Sequence, residues 1–257
     1  MNSAPSIDRG ILSLAGLNIL SDPWLSRVSG MDCFEVLLTQ GPRGGASLEP
    51  ASKGFFTAKI GVSDIATVRV MLSRGFNLID TTLTLICETP PRSRSAGHHD
   101  TQVIVGKANR SDLGAVESIA SSGFAFSRFH LDPDFPNGAA DEIKRQWARN
   151  LVKGSRGDGC LVARRQGQVV GFLGFISDRH GNVAIDLVAV EENAQRQGVG
   201  STLVRAVQTF AYYQGRATSV GTQLSNLKSM RLYESLGFRL CSAKYVMHGY
   251  SRAAEAA

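Results

Sequence analysis

Residues 183–204 constrain this chain more than any other stretch. Residues 183–190 (Val-Ala-Ile-Asp-Leu-Val-Ala-Val) form an apolar run of strand length, broken only by Asp186. A polar turn follows, then Gly198-Val-Gly200 and an apolar-periodic stretch from Val199 to Ala211. The pattern predicts a buried strand, a glycine-rich turn and a helix. Gly198 and Gly200 carry no Cβ, so a ligand can approach the main chain closely. The first N–H groups of a helix lack intrahelical partners, and the dipole favours negative charge there. The turn therefore suits a pyrophosphate; the competing reading is a tight turn packed on a sheet.

The 257 residues can bury one large core or two modest ones. No apolar run is long enough to span a bilayer, and the first residues lack a basic-then-apolar leader pattern, so a cytoplasmic chain with no membrane partner is expected. Cys33, Cys87, Cys160 and Cys241 are scattered, which predicts reduced thiols and no metal site. The net charge is +6, but its basic residues form no block, which argues against nucleic acid. Attraction of small polyanionic ligands is the milder reading.

Ile11–Leu14 and Leu17–Leu20 read as a helix or two short strands, and Asp22-Pro23-Trp24 as a turn. Phe34–Leu38 and Phe55–Ile60 read as strands around a breaker-rich loop, 41–54. Ser63 or Asp64 caps a helix carrying Ile65, Val68, Met71 and Leu72 on one face. Gly75 ends it, and Asn77–Leu85 alternates as a strand. Residues 89–100 have the composition of an exposed linker, and His98 and His99 there read as solvated. The expected division is a smaller α/β domain over 1–88, the linker, and a second domain over 101–257.

In the second domain, Gln102–Lys107 is a strand and Asp112–Ser121 a helix. Phe124–Pro136 mixes aromatic, charged and turn residues, as loops lining binding sites do. A helix over Ala139–Leu151 precedes strands Gly159–Arg164 and Val169–Ile176, joined by a hairpin at 165–168. After the glycine turn and its helix come a strand at Ala217–Gln223, a helix capped by Ser225 or Asn226 and ended by Gly237, and a final strand.

Gln195-x-x-Gly198-x-Gly200, followed by Asn226-x-x-Ser229-x-x-x-Tyr233-x-x-x-Gly237-Phe238, resembles the paired motifs of the GNAT N-acetyltransferases over residues 102–250. The resemblance implies an α/β (α+β) GNAT acyl-CoA N-acyltransferase fold, a mixed central sheet flanked by helices, with acetyl-CoA as co-substrate. Phe126-Ser-Arg-Phe129, its Pro-rich loop and the Trp147–Asn150 helix look like the dTDP-fucosamine acetyltransferase branch. Members of that branch N-acetylate a nucleotide-linked 4-amino-4,6-dideoxyhexose for surface polysaccharide. The alternatives are a GNAT acting on a metabolite or protein N-terminus, and a non-catalytic acyl-CoA-binding module. Family members are often dimers, so a homodimer is expected.

The resemblance also implies roles. The main chain of Leu187, Val188, Ala189 and Val190 would pair with the pantetheine, with an N–H near Val188 as oxyanion donor. The amides of Gln197, Gly198, Val199, Gly200 and Ser201 would hold the pyrophosphate, helped by Gln195 or Arg196. Asn226 and Met230 share a helix face with Tyr233, which would protonate the departing thiolate; the other reading of Tyr233 is a core aromatic. Many relatives carry a Glu before the loop where this chain has Ala184, a departure. Asp186, two residues on, either takes the amine's proton through water or pairs structurally. Ser127, Arg128, Phe129, His130 and Asp132 are candidates for the acceptor side. Arg128 either forks onto a diphosphate or forms a surface ion pair. Phe124, Phe126 and Phe129 either stack on the acceptor or serve the core.

Residues 63–78 align without a gap on 225–240, with Ser63, Arg69, Ser73, Gly75, Phe76 and Leu78 each matching an identical residue. Asp64 stands at the Asn226 place and Met71 at the Tyr233 place. The first domain then reads as a truncated GNAT-like copy without the chemistry, or as a chance likeness between capped helices.

Overall fold

A computed structural model describes residues 11–14, 17–38, 54–88 and 103–251. The linker 89–100, with His98 and His99, and most of the loop 41–54 lie outside the described residues. The first elements are β1 (Ile11–Leu14), β2 (Leu17–Ser21), α1 (Pro23–Ser29), β3 (Cys33–Leu38), β4 (Gly54–Gly61), α2 (Ile65–Ser73) and β5 (Asn77–Cys87). After them come β6 (Val103–Lys107), α3 (Leu113–Ser122), α4 (Arg128–Leu131), α5 (Ala139–Lys153), β7 (Gly159–Arg165), β8 (Gln168–Ser177) and β9 (Val183–Val190). The last are α6 (Val199–Tyr213), β10 (Thr218–Gln223), α7 (Leu227–Ser235) and β11 (Arg239–Ser251).

Two departures from the sequence reading have simple causes. Asp22-Pro23-Trp24 opens helix α1 instead of closing a turn. Asp22 Oδ1 accepts the Leu25 N–H at 2.9 Å, and Pro23 sits at the first helical position, where its missing N–H costs nothing. The loop 124–136 holds a short helix, α4, too brief for periodicity to reveal. The hairpin between β7 and β8 turns on Gln166 and Gly167, both with positive φ, as the right-handed strand twist favours.

The chain packs as two compact units. One runs from Thr82 to Ala243; the other combines the described residues up to Thr81 with those from Lys244. The division between these units falls inside β5 and β11, where composition carries no signal.

In the first unit β2 and β3 are antiparallel, β3 and β4 parallel, and β4 and β11 antiparallel. Its core gathers Ile19, Val36, Phe56, Ile60, Met71, Phe76 and Met247. Met71 is fully buried, at the position matching Tyr233.

In the second unit β6, β7, β8 and β9 are antiparallel in sequence, β9 and β10 parallel, and β10 pairs antiparallel with the end of β5. Phe172 and Leu173 are neighbours on β8, so they point to opposite faces. Phe172 joins a core with Val116 and Ile119 of α3 and Ala148 and Leu151 of α5. Leu173 joins one with Val199, Leu203, Val204 and Val207 of α6 and Tyr233 of α7. The sheet is thus mixed, with helices against both faces.

The strand orientations β2-β3-β4-β11 repeat in β8-β9-β10-β5: antiparallel, parallel, antiparallel. The aligned helices α2 and α7 are capped alike. Asp64 Oδ1 accepts from Thr67 N, and Asn226 Oδ1 from Ser229 N, each at 3.1 Å.

Candidate active site

Two irregularities in β9 shape the site. The parallel pairing with β10 covers only Val183, Ala184 and Ile185. Both strands continue beyond it, so they part and leave the β10-facing edge of Leu187–Val190 without ladder partners. Main-chain groups left outside the ladder in such a cleft call for a ligand's amides. The second irregularity is a bulge. Gly174 on β8 faces Leu187 while Phe175 faces Ile185, so Asp186 is the extra residue. A bulge re-aims side chains and often borders an active site. It puts Asp186 and Leu187 on the α5 side together, which simple alternation does not predict.

The glycine turn closes the cleft. Gly198 has φ +82° and is the N-cap of α6, with no side chain bonding the first turn's N–H groups. Arg196 also has positive φ, at 59°. Two left-handed residues before an uncapped helix N-terminus form a concave set of donors suited to phosphate oxygens. The exposed Gln195 and Gln197 side chains bond the loop's own main chain. Gln195 Nε2 donates to the Val190 carbonyl at 3.2 Å, and Gln197 Nε2 to the Asn193 carbonyl at 2.8 Å. Both amides brace the loop, and Arg196 between them is exposed as well.

The glycines differ in why they are needed. An alanine at Gly198 would occupy a left-handed conformation, at about 1 kcal/mol. A Cβ on Gly200 would meet Leu232 and Val190 at 3.6 and 3.7 Å, ordinary contact distances. Gly200→Ala should therefore keep the melting temperature. It should raise the KM for acetyl-CoA about tenfold, or roughly 1.4 kcal/mol, if a pyrophosphate lies there. Steady-state kinetics with a melting curve separates the two effects.

Tyr233 is 3% exposed and packs edge-on against Phe238, with ring centroids 5.5 Å apart. Burial pushes its phenol well above the usual tyrosine range, so it stays protonated at any physiological pH. Asn226 spends its Oδ1 on the α7 cap and keeps its amide N–H groups. Met230, one turn on, packs at the margin of the same core.

The structure gives Asp186 firm partners. Arg156 donates from Nε and Nη2 at 2.6 and 2.7 Å, and Trp147 Nε1 donates at 2.7 Å. The Asp186 side chain is 7% exposed. Of its two readings, structural pairing is the one with geometry behind it. A carboxylate held by both oxygens in a guanidinium fork is poorly placed to collect a proton.

The acceptor-side candidates divide. Ser127, Phe129 and Asp132 are buried. Ser127 Oγ bonds His130 Nδ1, and His130 Nε2 bonds Asp141 Oδ1 at 2.9 Å, which ties α4 to α5. Asp132 accepts from the Asp134 N–H at 3.0 Å. Phe129 packs at a tilt against Phe135, with ring centroids 4.9 Å apart. Phe124 packs against the α3–α5 core, while Phe126 is 39% exposed. Arg128 is half-buried, its guanidinium 4.6 Å from the Phe129 ring centroid. Sequence reading missed Lys144 and Arg156, which flank Trp147 beside this loop. They carry no motif, and only a buried lysine on an apolar helix face hinted at them. No cluster of metal-ligating side chains occurs among the described residues, and no described helix is long and apolar enough to cross a membrane.

Residues 125–238 match the acetyltransferase (GNAT) family. They form a GNAT acetyltransferase domain. The match lies within the second unit. The chain is 31% identical over 145 residues to the spore coat polysaccharide biosynthesis protein SpsD of Bacillus subtilis, covering 56% of this chain and 50% of that protein. It is 27% identical over 193 residues to a dTDP-fucosamine acetyltransferase of Escherichia coli, covering 74% and 80%. Among solved structures, a GCN5-related N-acetyltransferase from Sphaerobacter thermophilus aligns at TM-score 0.62 and 14% identity, over 91% of this chain and 76% of that one. A tandem GNAT protein from the clavulanic acid biosynthesis pathway aligns at 0.62 and 12%, over 93% and 79%. These two share the fold.

Proposed function

We propose that the chain transfers acetyl from acetyl-CoA to the amine of a nucleotide-linked amino sugar, of the dTDP-4-amino-4,6-dideoxyhexose type, for a surface polysaccharide. The donor half rests on one observation: β9 and β10 part beside an uncapped, glycine-led helix terminus. The acceptor half is supported by Arg128 on α4 and by the two curated relatives, one a dTDP-fucosamine acetyltransferase and one a polysaccharide biosynthesis protein.

In this reading the freed edge of Leu187–Val190 aligns the pantetheine, and the first N–H groups of α6 hold the pyrophosphate. The amine nitrogen attacks the thioester carbonyl carbon. A main-chain N–H near Val188 steadies the oxyanion. The C–S bond then breaks, and the Tyr233 hydroxyl gives its proton to the sulfur. The amine's surplus proton leaves to solvent, since Asp186 is held by Arg156 and Trp147. Asp186 thus positions the site without collecting that proton.

The first unit reads as a copy of the same fold that has lost the chemistry. Its strand orientations and helix cap repeat those of the second, and Met71 replaces the phenol. The reaction belongs in the cytoplasm, which suits four free cysteines. A homodimer is part of the same reading.

Offering acetyl-CoA with a panel of dTDP- and UDP-linked amino sugars, and weighing the products by mass spectrometry, tests the acceptor. A gain of one acetyl group on a dTDP-linked 4-amino sugar is expected. Acetylation of unlinked amines alone would overturn the substrate class and leave the donor half standing.

A further inference from the structure

Lys144 belongs to none of the sequence motifs. Lysine is almost never fully buried unless paired. Lys144 is 8% exposed and takes part in none of the ion pairs among the described residues. Its ammonium lies 4.9 Å from the Phe124 ring centroid and 4.7 Å from that of Trp147. The Arg156 guanidinium covers Trp147 as well, at 4.3 Å.

The charges around Lys144 come from three directions. Arg128 on α4 and Arg156 just after α5 oppose its charge, and Asp186 on β9 alone favours it. Asp186 is already committed to Arg156 by two hydrogen bonds. Lys144 is thus a buried ammonium against aromatic walls whose one favourable carboxylate is already held by Arg156. Burial and the neighbouring guanidiniums pull the ammonium down to about 8. The cluster still reaches the surface, because Arg128, Trp147 and Arg156 are each half-buried. A folded protein gains nothing from a buried ammonium without a carboxylate of its own. A diphosphate reaching this cluster would supply the missing counter-charge, and the exposed Phe126 ring two residues before Arg128 offers a face for a base.

We propose that Lys144, together with Arg128, seats the diphosphate of the acceptor nucleotide, and that the ammonium becomes fully charged as the anion arrives. The proposal rests on the nucleotide-sugar reading of the acceptor. It adds a positioning residue and couples acceptor binding to uptake of a proton.

Titration calorimetry with dTDP as the probe tests this directly. The donor site is first filled with CoA, and each titration is run at pH 8 in two buffers of different ionisation enthalpy. A group half-charged at that pH and fully charged in the complex takes up about half a proton per dTDP. Lys144→Met should abolish the uptake and weaken dTDP at least tenfold, while changing CoA affinity by less than twofold. Lys144→Arg, charged throughout, should keep dTDP binding without uptake. Wild-type protein that binds no dTDP, or binds it without uptake, overturns the proposal. So does Lys144→Met protein that behaves as wild type. The wild-type uptake needs no variant, so a variant that fails to fold leaves the test intact. No acetyl transfer is involved either. Proton-linked dTDP binding with no turnover on any nucleotide sugar would sink the acceptor reading alone. Turnover on nucleotide sugars without linked uptake would sink this one alone.

Discussion

Tyr233→Phe should lower kcat by about 10²–10⁴, the range a positioned general acid contributes. The KM for acetyl-CoA should barely move, because the ring and its contact with Phe238 remain. Stability should also hold, since the variant deletes one oxygen from a side chain in the α6–α7 core. The pH profile carries a second expectation. Burial raises the phenol's pKa, so the acid form persists below the shifted value and is lost only above it. Wild-type kcat should therefore show no alkaline fall from Tyr233 below about pH 10, the unperturbed tyrosine value. A Tyr233→Phe enzyme that turns over as fast as wild type would show that Tyr233 is a core aromatic and nothing more.

Asp186→Asn should damage the fold more than the chemistry. The change keeps an oxygen for Trp147 Nε1 and removes the charge that Arg156 grips at 2.6 and 2.7 Å. Breaking a buried pair by removing one partner costs about 3–5 kcal/mol. The Arg156 side chain is 39% exposed and can rehydrate, so roughly 2 kcal/mol is the expected loss here. In a unit of this size that lowers the melting temperature by roughly 4–8 °C. The variant's kcat at neutral pH should fall less than tenfold. A fall above a hundredfold with unchanged melting, together with loss of an acid limb in the pH profile, would make Asp186 the base.

The strand, glycine turn and helix of the proposed donor half were legible because their signals are local. A helix N-terminus, two glycines and the strand before them occupy adjacent residues, so one stretch of sequence holds the whole arrangement. The Asn226–Tyr233 helix was legible for the same reason: a cap, a phenol one turn or two later, and a glycine stop. The β9 bulge was not legible. Val183–Val190 alternates without a mark at Asp186, and the extra residue exists only relative to Gly174 and Phe175 on the neighbouring strand. The side-chain partners of Gln195 and Gln197 were not legible for a related reason. Their amides suit phosphate equally well, and only loop closure turned them onto Val190 and Asn193.

The boundary between the units shows the limit in another form. Composition marks a linker at 89–100, where the chain is rich in Pro, Ser and charge. The division through β5 and β11 depends instead on which strand each half of a long strand lies beside. Pairing across a sheet is non-local, and no residue within a strand announces its partner.

By itself the sequence determined the elements on which the proposed donor half rests, Gly198 and Gly200 before a helix and a second helix carrying Tyr233, because periodicity, capping and glycine geometry act over a few residues. Only the tertiary structure decided what surrounds Asp186. Arg156 and Trp147 come to it from 30 and 39 residues away, and Lys144 from α5. Charge acts through space and burial alters its strength, so this part of the site appeared only once the chain was folded.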